Sequence, residues 1–493
     1  MAIPKVCGIE NEFGFAIFDV NNNRQVENKK EYFLAVYRFV ANFLAYQRAA
    51  NYDISAEARR QELQDIESKD KRETILEKIH RLILEKLGQE TDGFLANGAR
   101  FYLDDEHPEY SSAECLLPLD LVAQDKASEL IMMDAQNLFE NQSAGNRYRL
   151  FIHKNNSDGN GHSYGSHLNI LLKRELARNS FRYLVRSYLP FQIARIVLIG
   201  GGKLGTENGR PACNFQISQR ADFFEKLIGI NTVSNRPIFN TRDEPHSDGI
   251  KFFRLHDISC DALLCETAIF LKVALTQIVL AMIEDGFWNK KLFPVNPVGA
   301  MGKISRDLRF KNQILLENGD KLTGLEILRE YLLSGKEYLA IQPMTDQHTL
   351  AINLGLELLE KLEHDPMSVF GILDWVTAWK ISESNPANAK KNLHRFRWVS
   401  KSNGLYYKWA NEGKMRLILE SERIETAKIN PPENTRAYLR SELIKKFGPY
   451  IKEMSWSKFS IKIGGKARTI LVDNPLLDKN GSDNILLTLA HTK

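Results

Sequence analysis

Two segments of the chain alternate in polarity, whereas most of the remainder repeats its apolar positions at helical spacing. In Gly8-Ile-Glu-Asn-Glu-Phe-Gly14 the alternation predicts a strand with Ile9 and Phe13 on one face and Glu10 and Glu12 on the other. In the segment from Ala99 to Asp104, aromatic and apolar character predicts a second strand. There Arg100, Tyr102 and Asp104 share a face at steps of ~7 Å. Further strands are expected over 149–153, over 166–172 with Ser166, His167 and Asn169 near its start, and around Arg254-Leu-His256. Val197 to Gly202 reads as a strand ending in three glycines, where backbone approaches a ligand closely.

Helical spacing covers 28–49 (Tyr32, Phe33, Val36, Phe39, Val40 and Phe43) and 119–141, and residues 262–380 are mostly helical. Ala262 to Ile283 is the longest apolar stretch, but Glu266, Lys272 and Gln277 interrupt it, so it reads as a buried helix rather than a membrane span. Residues 56–91 form a charged helical stretch with the stripe Leu76, Ile79, Ile83 and Leu87, and 51–92 reads as an insertion. A polar stretch at 381–392 reads as a linker, dividing the chain into a catalytic domain at 1–392 and a small C-terminal domain at 393–493 that closes in a hairpin around Gly464-Gly465.

Composition narrows the partners. A net charge of +4 over 493 residues, with no basic run interleaved with aromatics, gives no argument for nucleic acid. The N-terminus has no apolar run of signal-peptide type, since Lys5, Glu10 and Glu12 follow closely. Five cysteines (Cys7, Cys115, Cys213, Cys260, Cys265) have no zinc-ligand spacing and read as free thiols of a cytoplasmic protein.

The chemistry lies in the polar strand faces. Close carboxylates such as Glu10 and Glu12 repel each other unless a cation sits between them or one takes a proton. Mg2+ prefers such oxygens and keeps positions open for phosphate. Taken alone, Glu-x-Glu is an ordinary solvated edge strand. Together with the cation, phenol and carboxylate of the second strand, it predicts a floor for a metal, a phosphate and a reacting carbonyl. The loop 236–248 is either a salt-bridged turn or the rim of a site, and Arg220, Arg236, Arg242 and Arg254 suit polyphosphate.

These strings resemble one family, the Pup ligases and Pup deamidase/depupylases, whose fold is related to glutamine synthetase. The resemblance rests on GIENEFG (8–14), NGARFYLDDEHPEYSSAEC (97–115), KNNSDGNGHSYGSH (154–167), SQRADF (218–223), NTRDEPHSD (240–248) with RLH (254–256), DPM (365–367) with LDW (373–375), and PPENTRAYLR (431–440). It implies an α+β fold, with a glutamine-synthetase-like antiparallel sheet cradle packed by helices and a small C-terminal α/β domain. It also implies Mg2+ and ATP (or ADP plus phosphate) at one end of the cradle, and at the other the C-terminal residue of a small disordered Pup-like modifier.

By position the resemblance makes Glu10, Tyr102 and Glu109 magnesium ligands, with Glu12, His167 and His256 in the metal or phosphate shell. It makes Arg100, Ser112 and Trp456 nucleotide contacts and Asp104 the catalytic aspartate, as nucleophile or as base for water. A single histidine such as His256 also fits a purely structural role. Three features favour the hydrolase branch: the long interval between Glu10 and Asp104, the short DDEHPE spacing, and the wording of the C-terminal region. GIENEFG is closer to the ligase spelling. The family usually continues Gly-Ser-His with Glu-Asn-Tyr, where Leu168-Asn169-Ile170 stands here, so one polar contact is expected to be lost. The expected function is hydrolysis of the modifier's terminal side-chain amide or of its isopeptide to lysine. The alternatives are a ligase working through a glutamyl phosphate and a non-catalytic modifier-binding protein.

Overall fold

The structure, a computed structural model, describes residues 1–51, 91–141, 147–232, 234–463 and 466–490. The charged helical expectation at 56–91, with nearly all of the 51–92 insertion, lies outside the described residues, as does the turn at Gly464-Gly465.

A six-stranded sheet carries the polar faces. Its strands are β1 (Cys7–Glu12), β2 (Asp92–Phe94), β3 (Arg100–Asp104), β4 (His107–Ser111), β5 (Ser166–Lys173) and β6 (Phe252–Asp257), in the order β6-β5-β1-β4-β3-β2. Every pairing is antiparallel. Directly opposed residues share a face, so the register fixes which side chains meet. Glu12 faces Glu109 and Glu109 faces Tyr102. Glu10 faces both Ser111 and His167, and Asn169 faces His256.

The opposite face of the sheet is apolar and packs on helices α1 (Lys29–Asn51), α2 (Pro118–Asn141) and α3 (Glu266–Glu284). Cys7, Ile9, Leu168, Ile170 and Leu255 join the large core around α3, while Phe101 and Tyr110 join a second cluster with Phe39 and Phe43 of α1. α3 is the one helix among the described residues that is long and apolar enough to cross a membrane, and its window is wholly buried in the protein. Buried on all sides, it needs no amphipathic stripe.

Two expectations are corrected. Residues 196–199 form a short helix, not a strand, and Gly200 to Gly202 serve packing. A Cβ on Gly202 would meet Ala378 and Phe215 at 2.9 Å, so the glycines admit the core rather than a ligand. The stretch at 381–392 is not a linker: helix Asp374–Ser384, a 3-10 turn at Pro386–Asn388 and helix Ala389–Arg397 run through it. The helix Ala389–Arg397 crosses position 392, and Leu393, Phe396, Tyr406 and Met415 belong to the large core. A separate cluster begins at Leu439, under α4 (Ala437–Phe447) and the sheet of Ile451–Met454, Lys458–Ile463 and Lys466–Leu471. Leu168 is fully buried on the apolar face of the sheet.

Candidate active site

The polar face of the sheet floors a cleft of about 960 Å³. It is lined by Glu10, Glu12, Arg100, Tyr102, Asp104, Glu109, His167, Arg220, Arg236, Arg242, Arg254, His256 and Trp456, which is every predicted site residue except Ser112. A smaller pocket of about 90 Å³ shares Glu10, Arg254 and Trp456 with the cleft and adds Ser112, Glu114 and Arg436. The alternation of β1, β3 and β5 is what brings these side chains to one surface.

The predicted ligands separate into two groups. Glu10, His167 and His256 hold their candidate donor atoms within 4.8 Å of one another, as do Glu12, Asp104 and Glu109. In the first group His167 Nδ1 lies 3.3 Å from Glu10 Oε2 and His256 Nδ1 3.9 Å from it, while Arg254 Nη1 lies 3.8 Å from Oε1. Asn169 Oδ1 is 2.8 Å from His256 Nδ1 and accepts from Arg254 at 2.8 Å, orienting both. In the second group Tyr102 donates its hydroxyl to Glu109, and the His107 ring, held towards its neutral form by burial, lies 3.7 Å from Glu12.

The two groups hold their protons differently. Burial would raise the Glu10 carboxyl, but the His167 hydrogen bond, the adjacent His256 ring and the charge of Arg254 reverse this and hold it well below the ordinary range. Burial lowers His256 to about 3 and depresses His167, which leaves the imidazoles neutral and able to act as ligands. Burial and the charge of Asp104 raise Glu12 to about 7. Glu109 is raised further by burial together with Glu10, Glu12 and Asp104, and Asp104 is raised by burial, Asp105 and Glu10. Three crowded carboxyls held towards their neutral forms fit a hard divalent cation, which would replace the protons.

The arginines divide as well. Arg220 is 1% exposed, donates to the Ile258 carbonyl and keeps Nε unpaired. Arg236, also buried, donates to the Thr232 and Ser163 carbonyls. Two buried guanidiniums whose partners among the described residues are carbonyls suit an incoming anion. Arg242 lies at the rim, paired with Glu244 at 3.0 Å. Arg100 pairs with Asp92 and lies 4.3 Å over the Tyr102 ring. The Ser112 hydroxyl accepts from the Ile9 amide at 3.0 Å and donates to the Ala113 carbonyl, so it anchors backbone in the small pocket.

His107, His246 and Asn169 also belong to the site; the sequence reading assigned His107 and Asn169 no role and placed His246 within the loop read as a turn or a rim. Alternation signalled two of them: His107 opposes Asp104 and Asn169 lies two residues after His167. His246 sits in a loop, where no periodicity marks it.

Several known proteins are similar to this chain. The depupylase of Acidothermus cellulolyticus is 37% identical over 384 residues, covering 76% of this chain and 75% of that protein. The Pup–protein ligase of Nocardioides sp. is 34% identical over 410 residues, covering 79% and 88%. The crystal structure of the complex between the prokaryotic ubiquitin-like protein Pup and its ligase PafA matches with a TM-score of 0.79 at 25% identity, covering 99% of this chain and 93% of that one. The structure of the Pup ligase PafA in complex with ADP matches with a TM-score of 0.73 at 26% identity, covering 86% and 95%. With the family model for the Pup-ligase protein matching residues 5–460, this chain belongs to the Pup-ligase family.

Proposed function

We propose that this chain is a Mg-ATP-dependent amidohydrolase acting on Pup or a Pup-like modifier, deamidating a C-terminal glutamine or cleaving the isopeptide bond to a substrate lysine. The observation that carries the reading is the position of Asp104. It shares a carboxylate group with Glu12 and Glu109, on the sheet face that also bears Glu10, His167 and His256. Family membership supports the modifier as substrate, since the relatives include a depupylase and a ligase solved with Pup. The ADP complex of a relative supports nucleotide use.

In this reading Glu12 and Glu109, with Tyr102 beside them, hold one divalent cation, and Glu10 with the two imidazoles provides a second position. Such a cation supplies charge compensation for phosphate and polarises its oxygens. Asp104, at the more open end, acts as nucleophile towards the side-chain carbonyl or as base for water. Arg220 and Arg236 receive an anion, either phosphate or the modifier's terminal carboxylate. Trp456 and Arg254 border the nucleotide pocket.

The ligase reading has its own support in the GIENEFG spelling and in the ligase structure that spans 99% of the chain. Incubating the enzyme and Mg-ATP with a modifier ending in glutamine, followed by mass spectrometry, separates the two. Deamidated modifier without net ATP consumption supports the hydrolase. Conjugates formed from a modifier ending in glutamate, with one ATP consumed per bond, overturn it in favour of the ligase.

A further inference from the structure

The C-terminal unit meets the cradle through one buried ionic junction that the proposed chemistry does not use. Glu114 lies just beyond β4 and accepts from three guanidinium nitrogens. Arg440 donates from Nη1 and Nη2 at 2.7 Å each, and Arg436 donates from Nε at 2.8 Å. Arg440 is fully buried within α4. Its Nη1 also donates to the Gly98 carbonyl at 2.8 Å, and its guanidinium lies 4.6 Å from the centre of the Trp456 ring and 5.2 Å from that of Phe94. Nη2 reaches the Trp456 carbonyl at 3.3 Å. Phe94 of β2 meets Trp456 edge-on at 5.0 Å.

The contact is close enough to constrain backbone. Gly98 has φ +76°, and a Cβ there would sit 2.9 Å from the Ala437 carbonyl. Ser441 donates to the Ala96 carbonyl at 2.5 Å. Trp456 itself lies in the turn before Lys458–Ile463, outside the strand, so its own element does not fix the ring. What holds the indole is the guanidinium together with Phe94, which pack on it and on each other as a triangle with sides of 4.6, 5.0 and 5.2 Å. A planar, bidentate guanidinium does this in a way an ammonium cannot, because it pairs with a carboxylate through its edge while stacking through its face.

We propose that Glu114 and Arg440 are positioning residues for the nucleotide pocket, setting Trp456 as its wall, so that docking of the C-terminal unit governs nucleotide affinity. The inference rests on the reading of that pocket as the nucleotide site. Glu114 and Trp456 both line it, which gives the junction a direct route to a ligand. Glu114 is charged in this role: burial would raise its carboxyl, but Arg440 and Arg436 bring it down to about 2.

The test is a double-mutant cycle on ATP affinity, measured by calorimetry with Mg-ATP on the full chain. Arg440→Lys is expected to weaken ATP binding about tenfold and to raise KM for ATP while kcat stays within about twofold. Trp456→Ala is expected to weaken binding by a similar factor, and the double variant by little more than either alone. Additive losses overturn the positioning role and leave the nucleotide wall standing. Unchanged affinity in Trp456→Ala overturns the wall, and the proposal with it. Should Arg440→Lys fail to fold, Phe94→Leu removes the other support of the indole without touching the ion pairs. It is expected to weaken ATP binding about threefold, again without adding to Trp456→Ala, and additivity there overturns the proposal.

Discussion

The two ends of the cleft use the same kind of residue on the same sheet face, yet they hold opposite charge states. At one end Glu10 stays ionised because Arg254 and two imidazoles surround it. At the other, Glu12, Asp104 and Glu109 crowd one another and are buried, and the charges of Arg220, Arg236 and Arg242 do not offset this. The carboxyls are therefore pushed towards their protonated forms in the absence of a cation. Local sequence does not decide this, since Glu10 and Glu12 are two residues apart on one strand. The neighbouring strands do: β5 and β6 bring cations and imidazoles to Glu10, while β3 and β4 bring more acid to Glu12.

The sharpest way to break this contrast is at Asp104. Asp104→Asn is expected to reduce turnover by about a thousandfold or more, with ATP binding by calorimetry within a few-fold of the parent. Retained turnover would remove Asp104 from the mechanism and leave its end of the cleft as a metal site alone.

The next test compares the two ends directly in metal-free protein by chemical denaturation. Glu10→Gln leaves Arg254 with the half-exposed Glu244 at 3.6 Å as its acidic neighbour and is expected to cost about 2 kcal/mol. Glu109→Gln replaces a carboxyl already held neutral, and stability is expected to stay level or rise. Equal losses from the two variants would sink the distinction.

A pH titration of metal-free protein sharpens it further. The Glu12 proton is held more tightly in the folded chain, where its pKa is raised from 4.5 to about 7. Its contribution to stability is therefore complete below 4.5 and is lost as pH climbs through about 7. Stability is expected to fall over that window, and Glu12→Gln to flatten the fall. Millimolar Mg2+ is expected to restore stability near neutral pH by binding the folded state alone. A profile that Mg2+ leaves unchanged would remove the acidic end as a cation site.

The smallest effect is expected at the rim. Glu244 is half exposed and touches Arg242 at 3.0 Å and Arg254 at 3.6 Å. Glu244→Gln is expected to change turnover less than twofold, because exposed pairs contribute little. A larger loss would move the rim into the binding surface.

Much of the floor was legible from period-two alternation. Once β1 and β3 are strands, Glu10 and Glu12 must share a face, as must Arg100, Tyr102 and Asp104. The same rule carried His107 and Asn169, which were not drawn from it. Alternation also places position 168 on the apolar face once His167 lies on the polar one. Glycine content misled at 197–202, since glycines that admit a core and glycines that admit a ligand look alike in one dimension. Polar composition misled at 381–392, where a helix with one apolar side needs few apolar residues: Leu393 and Phe396 anchor Ala389–Arg397.

By itself, then, the amino-acid order determined which side chains share a strand face, because the period of a β-strand is local geometry. It left open which strands are neighbours, and with them the grouping of the acids, the charge of Glu10 against that of Glu12, and the junction from Arg440 to Trp456. Those depend on pairings and contacts between residues tens to hundreds of positions apart, and an ionisable group takes its charge from whatever such contacts bring within a few ångströms of it.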